Sequence, residues 1–233
     1  MRVCVVHSYY SSSQPSGENT VVDLQVRTLR RLGHEVHLIA YRTDDLSRSR
    51  TYPLTSATRV ATGRGGSPLR QLERLAPDVV HVHNLFPNVG AGWLTACPYP
   101  LVMTLHNFRS VCAAATLYRD GHSCRECLDQ GPHRSVVHGC YRGSRTATVP
   151  LWLGTRVPRR DALLTAPDIL ITLSAQARAI YEPLVGQKPV ECLPNPVESA
   201  TQAQLTLPDD ACWLYAGRLT PEKGVLDLLA AWP

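Results

Sequence analysis

Four cysteines stand in the spacing Cys112-x11-Cys124-x2-Cys127-x12-Cys140, with His122, His133 and His138 among them. A Cys-x-x-Cys pair brings two thiolates round one ion, and two further cysteines about a dozen residues away complete a tetrahedral zinc site of the structural kind. Four protein ligands leave no open position for water, so such a zinc would staple a loop and take no part in chemistry on a substrate. The same residues also read as four free thiols or as a redox-active Cys-x-x-Cys.

Three other sets could do chemistry. His106-Asn107 follows one apolar, β-rich run, and His81-Val82-His83-Asn84 ends the run before it. In open α/β sheets ligands bind outside the carboxyl ends of the strands, so both sets would face one crevice. His106 is the expected catalytic residue, donating to a substrate hydroxyl or carbonyl or orienting an acceptor. His81 alternates into the sheet and reads as a satisfied core histidine. Earlier, Pro15-Ser16-Gly17-Glu18-Asn19 joins the first strand to the first helix. A glycine there lets backbone N–H groups at the helix N-terminus approach an anion, although an ordinary turn with Glu18 on the positive end of the dipole fits as well. This loop lacks G-x-G-x-x-G, which counts against a dinucleotide-dependent dehydrogenase. The last set is Tyr215-Ala216-Gly217-Arg218-Leu219-Thr220-Pro221-Glu222-Lys223-Gly224. Gly217 would allow close approach, and Arg218 and Lys223 offer two cations for a diphosphate. Without context the two read equally as surface charges.

The elements that must position these residues alternate. Residues 3–7 predict a strand, Val22, Val26, Leu29 and Leu32 recur at helical spacing up to Gly33, and 34–40 return as a strand. This is a βαβ unit, and it implies a parallel sheet with a right-handed crossover. Residues 41–66 are polar and Arg-rich, with room for one short strand. A helix over 68–75, a strand over 78–83, a short helix over 87–96 and a strand over 100–106 follow. Residues 108–145 break the rhythm with the four cysteines. A helix over 149–164, a strand over 168–173, a helix over 175–184 and a strand over 190–193 resume it. Residues 196–210 shift to Pro, Gln, Thr and Ser, as a linker does. A strand over 212–216 and a helix opening at Pro221 then begin a second domain. The expected architecture is α/β: a Rossmann-like parallel sheet with helices on both faces over 1–195, with a cysteine-rich insertion at about 108–145. Residues 211–233 are read as the start of an incomplete second domain, because one strand and one helix cannot bury a core.

Composition narrows the class. Hydrophobic residues at 44% and charged residues at 18% are those of a globular protein. The net charge of +5 makes the surface mildly attractive to phosphates or an anionic membrane. The basic residues are scattered and no aromatic platform accompanies them, so nucleic acid is not expected as a partner. No apolar run approaches the roughly 18 residues of a membrane span, and the N-terminal run is too short for a secretion signal. A cytoplasmic protein with buried or metal-binding cysteines is the reading that results.

Taken together, Gly17-Glu18, Leu32-Gly33-His34-Glu35-Val36, Asp78-Val79-Val80-His81-Val82-His83-Asn84, Thr104-Leu105-His106-Asn107, Leu193-Pro194-Asn195-Pro196-Val197 and Gly217-Arg218-Leu219-x-x-Glu222-Lys223-Gly224 resemble the family 4 retaining glycosyltransferases of the GT-B fold. A subset of that family carries a cysteine-rich insertion ending in a segment like Cys140-Tyr141-Arg142-Gly143-Ser144. The resemblance implies transfer of a sugar from a UDP- or GDP-sugar to a glycan or lipid-linked acceptor with retention and no required metal, in cell-surface polysaccharide or glycoconjugate synthesis. It implies that Gly17, Glu18, Asn107 and Asn195 contact substrate, that His106 faces the reacting sugar, and that Gly217, Arg218 and Lys223 hold the donor diphosphate, whose developing charge they would neutralise. It also implies peripheral contact with the inner face of the membrane. The family's first-loop Gly-Gly is Ser16-Gly17 here, and its later Glu-x7-Glu donor motif lies beyond these residues. Little transfer is therefore expected from residues 1–233 alone, and the alternative function is that of an inactive, acceptor-binding module.

Overall fold

In the computed structural model, residues 1–13, 16–155, 162–197 and 214–232 are described. β1 (Arg2–Tyr9) is buried on both faces from Val3 onward, as a central strand covered by helices must be. β2 (Glu35–Arg42) at the sheet edge buries only Val36 and Ile39. Between them α1 (Gly17–Arg31) turns Val22 and Val26 onto Val3, Val5 and Val36. It stops where expected: Gly33 takes φ +84°, a left-handed conformation costly for other residues, and its N–H donates to the Arg30 carbonyl at 3.0 Å.

The chain then departs from the expectation for 41–66. In place of a strand it forms α2 (Thr43–Leu46) and α3 (Tyr52–Thr62), the latter with proline in its first turn. α4 (Leu69–Leu75) leads to β3 (Val79–Val82), and β4 (Leu101–Leu105) follows a 3₁₀ turn at Ala91–Ala96 that replaces the expected helix over 87–96. Gly90 and Gly92 pack on the backbone of Gly63, where any side chain would collide. The insertion folds as a hairpin, β5 (Tyr118–Arg119) and β6 (His122–Ser123), and two short helices, α5 (Glu126–Asp129) and α6 (Arg134–His138). Glu126 ties them together: it accepts from Arg119, from Arg134 at 2.8 Å and from His138 at 2.9 Å, and its carboxyl is held down to about 2, chiefly by Arg134.

The expected helix over 149–164 begins earlier, as α7 (Arg145–Thr155), and α8 (Ala162–Thr165) follows residues outside the described set. β7 (Ile169–Thr172), α9 (Ala175–Tyr181) and β8 (Val190–Cys192) complete the domain. The six strands pair in the order β2-β1-β3-β4-β7-β8, all parallel. The larger core joins Val80, Val82, Met103 and Leu170 of the sheet to Leu72, Trp93, Leu164 and Tyr181.

α3 and α7 touch backbone to side: a Cβ on Gly154 would lie 2.4 Å from the Val60 carbonyl oxygen. Helix propensity alone favours alanine there by about 1 kcal/mol, but overpacking against backbone costs about 1–3 kcal/mol. Gly154→Ala should therefore lower the unfolding free energy in a urea titration; a gain would mean that the two helices separate freely.

The linker read at 196–210 falls almost wholly outside the described residues. Beyond it, Leu214–Ala216 form no strand among the described residues, because no neighbouring strand pairs with them; a 3₁₀ turn at Pro221–Lys223 leads into α10 (Val225–Ala230).

Candidate functional site

The strand order reverses direction between β1 and β3: the chain runs from β1 outward to β2, then returns to β1's other side. A crevice opens at such a reversal, outside the carboxyl ends of the strands. His7 of β1, His81 and His83 at the end of β3, and His106 just past β4 crowd there. The ring centroids of His81 and His83 lie 4.2 Å apart, those of His83 and His106 5.1 Å, and those of His7 and His83 6.1 Å.

Hydrogen bonds assign the protons. His7 Nδ1 accepts from the Asn84 N–H at 3.4 Å, so its Nε2–H donates to Asn19 Oδ1 at 3.0 Å. His81 Nδ1 accepts from Gln25 at 3.4 Å, so its Nε2–H donates to Thr104 at 2.8 Å. His81 is thus the satisfied core histidine the alternation suggests. His83 Nδ1 and His106 Nε2 share one proton at 2.8 Å, and His83 Nε2 is buried without a partner. A bare lone pair is cheaper to bury than a bare N–H, so His83 donates from Nδ1 and the His106 proton sits on Nδ1. Burial lowers His7, His81 and His106 to about 4 and His83 well below its ordinary value. At neutral pH His106 is therefore an uncharged hydrogen-bonding group, not a cation.

The loop after β4 is fixed from beneath. Tyr181 of α9 donates to the Asn107 carbonyl at 2.9 Å, and Ser110 donates to the Tyr181 hydroxyl at 3.0 Å. Asn107 Oδ1 accepts the Arg109 N–H at 3.0 Å. Arg109 lays its guanidinium 4.1 Å from the Phe86 ring centroid and donates to the Ala113 carbonyl at 3.0 Å.

Glu18, His83, Asn84, His106, Asn107 and Arg109 line one small cavity of about 60 Å³, room for water and not for a sugar ring. Glu18 enters from the first turn of α1, where Ser16 supplies no side-chain cap. One of its carboxyl oxygens is buried without a partner, and burial raises the group to about 7 against the pull of Arg109. It is not the exposed dipole partner that an ordinary turn would give. Gly17 is exposed, and a Cβ placed on it meets no atom within 4 Å.

Sequence reasoning missed His7 and Arg109. His7 ends its strand run as His106 does, so the same rule would have found it; Arg109 sits in the insertion, and no spacing ties it to Glu18. Of the expected residues, Glu18, His106 and Asn107 come together. Asn195 is exposed in the stretch after β8. Gly217, Arg218 and Lys223 lie in the segment beyond residues 198–213 and do not line the cavity; Arg218 pairs with Glu222 at 3.2 Å.

The four insertion thiols are neighbours. Burial pushes Cys127 up to about 11, with Cys112, Cys140 and Cys124 adding to the shift, and Cys140 is raised by burial and then by Cys112. Ligand type and number suit zinc. The spacing is not closed: among the described residues no three His, Cys, Asp or Glu side chains stand at metal-holding distances.

A sequence model of glycosyltransferase family 4 matches residues 15–201, most of the chain. No curated protein matches it. Among solved structures, a LacI-type transcription regulator from Bifidobacterium animalis subsp. lactis DSM 10140 aligns over 83% of this chain and 79% of that one, at 14% identity and a TM-score of 0.27, too low to carry any argument.

Proposed function

The chain belongs to glycosyltransferase family 4, and from that premise we propose that it transfers a sugar with retention from a UDP- or GDP-sugar to a glycan or lipid-linked acceptor. The observation that carries this reading is the convergence of Glu18, His106 and Asn107 on one cavity at the strand reversal. The cavity itself holds no more than water, so the neutral His106 donates a hydrogen bond to a reacting sugar that rests at its mouth, and the N–H groups of the uncapped α1 terminus face the leaving diphosphate. Gly217, Arg218 and Lys223 hold that diphosphate from the second domain, with Asn195 at the junction. The product belongs to cell-surface polysaccharide or glycoconjugate synthesis. The protein works in the cytoplasm at the inner membrane face; a net charge of +5 supports the contact, and among the described residues no helix is long and apolar enough to cross a membrane.

Gly17 offers a test that separates ligand contact from folding. The free space above it means that Gly17→Ala should leave the melting temperature within about a degree, since exposed substitutions shift stability by only ~0.5 kcal/mol. If the diphosphate approaches that backbone, the same change should raise KM for the donor about tenfold. An unchanged KM in steady-state transfer assays would remove the loop from the site.

Zinc belongs to the same proposal as a structural ion held by Cys112, Cys124, Cys127 and Cys140. Purified protein should carry one zinc per chain by elemental analysis, and chelation should lower the melting temperature by several degrees. Protein without stoichiometric zinc, whose eight cysteines all titrate without unfolding, would dismiss it.

A further inference from the structure

The cavity of about 60 Å³ that Glu18, His83 and His106 line has room for water. Two of these side chains carry a buried polar atom with no hydrogen-bond partner: His83, only 5% exposed, at Nε2, and Glu18 at one carboxyl oxygen. A buried water is held by two to four polar groups, and a bare imidazole nitrogen and a carboxyl oxygen on one small cavity are two of them. On its other side the His83 ring bonds His106 at 2.8 Å, and His106 is partly exposed. A line of hydrogen-bonding groups therefore runs from Glu18 through a water and His83 to His106 at the cavity mouth.

Burial makes a charge costly on either ring, and each ring also disfavours a charge on the other. Neither can lose a proton at one nitrogen without gaining one at the other. A proton given from His106 Nδ1 must be replaced at Nε2 by His83 Nδ1, and His83 must be refilled at Nε2. The neighbours offer few sources. His7 is committed to Asn19 and Asn84, and His81 to Gln25 and Thr104. Burial pushes the Tyr10 hydroxyl up to about 12, and a guanidinium such as that of Arg109 does not release protons. Glu18 is left, a carboxyl that burial brings to about 7 against the pull of Arg109.

We propose that Glu18 is the proton reservoir of His106, exchanging with it through one water in the cavity and the His83 ring. The role deepens the transferase reading and rests on it for the reaction. As the bond from the anomeric carbon to the diphosphate oxygen breaks, that oxygen keeps the electron pair and takes the proton of His106 Nδ1. His83 Nδ1 refills His106 Nε2, the water refills His83 Nε2, and the Glu18 carboxyl refills the water, so both rings stay neutral. With retention the incoming hydroxyl stands on the face that the diphosphate left. Its oxygen bonds the anomeric carbon, its proton passes to His106 Nδ1, and the reverse shift returns a proton to Glu18.

NMR of the chain labelled at the carboxyl carbons and imidazole nitrogens tests the line without any donor. The Glu18 carboxyl should titrate near 7. The ring nitrogens of His83 and His106 should shift with the same midpoint while both rings remain neutral, and Glu18→Gln, of nearly the same shape, should abolish that shift. Rings that ignore the range from pH 6 to 8, or a shift that persists in Glu18→Gln, would overturn the proposal. In transfer assays the rate should fall about tenfold from pH 6 to 8 as Glu18 gives up its proton. Glu18→Gln should lower the rate at pH 6 about a hundredfold and leave it level across the range, and Glu18→Asp should bring the slope back. His83→Gln should remove the slope while Glu18 still titrates, which separates a relay from a carboxyl that touches the sugar itself. Transfer whose slope survives both Glu18→Gln and His83→Gln would overturn the relay and keep the transferase. Coupled titration in a protein that transfers no sugar would keep the line of groups and remove the transferase reading.

Discussion

Replacing His106 with alanine should reduce sugar transfer by about two to three orders of magnitude, the usual cost of removing one oriented hydrogen-bond donor from a reacting centre. The neutral imidazole receives the His83 proton at 2.8 Å and keeps its own on Nδ1. His83 thereby fixes both the tautomer and the ring plane of His106. The loop that carries it is held by Tyr181 through the Asn107 carbonyl, not by the imidazole. The fold should therefore survive, at a cost of about 1 kcal/mol for the hydrogen bond lost from His83. Transfer rates and urea unfolding measured on the same preparation distinguish the two effects. A variant that melts early, or one that transfers at the native rate, would place His106 in the framework and outside the chemistry.

The second large effect is on acid stability. Burial holds His7, His81 and His106 near 4, against 6.5 for the free side chain. Between those values the unfolded chain takes up protons that the folded chain refuses. The stability these rings allow is complete above pH 6.5 and is lost as the pH falls toward 4. Each ring that stays neutral in the fold makes stability fall by about 1.4 kcal/mol per pH unit in that window at most, and because the rings are neighbours their losses do not simply add, yet all act in the same direction. His83 adds to the loss. Glu18 works in the other direction: raised from 4.5 to about 7, it holds a proton in the folded state that the unfolded chain releases, and so favours folding on the acid side. One carboxyl does not offset four imidazoles. Thermal melts should fall steeply from pH 6.5 to 5, and His7→Asn should flatten the slope by about one proton. A melting temperature level across that range would show that the rings gain solvent or partners.

Much of this was legible in the residues themselves. The apolar run ending in His7, the helical spacing of Val22 and Val26, and Gly33 after the last turn each carry a local signal, and each element formed where its signal stood. Residues 41–66 were not legible, because α3 buries none of its residues fully and packs on α7, about 90 residues later. The strand expected at 212–216 needed a partner strand, which local sequence cannot supply; its first two residues lie outside the described set, and the rest form no strand. In the site, the carboxyl ends of the strands announced His106 and Asn107. The meeting of Glu18 with Arg109 depends on strand order and on how the insertion folds back, so no spacing encodes it. Cysteine type and number read plainly, but the distances between the thiols did not.

The most direct measurement follows radiolabelled UDP- and GDP-sugars in extracts and membranes of source cells carrying the native gene, its deletion or His106→Ala. The account predicts a labelled acceptor with the native gene that is absent from the deletion and reduced at least a hundredfold by His106→Ala. The same labelled products in all three would contradict it.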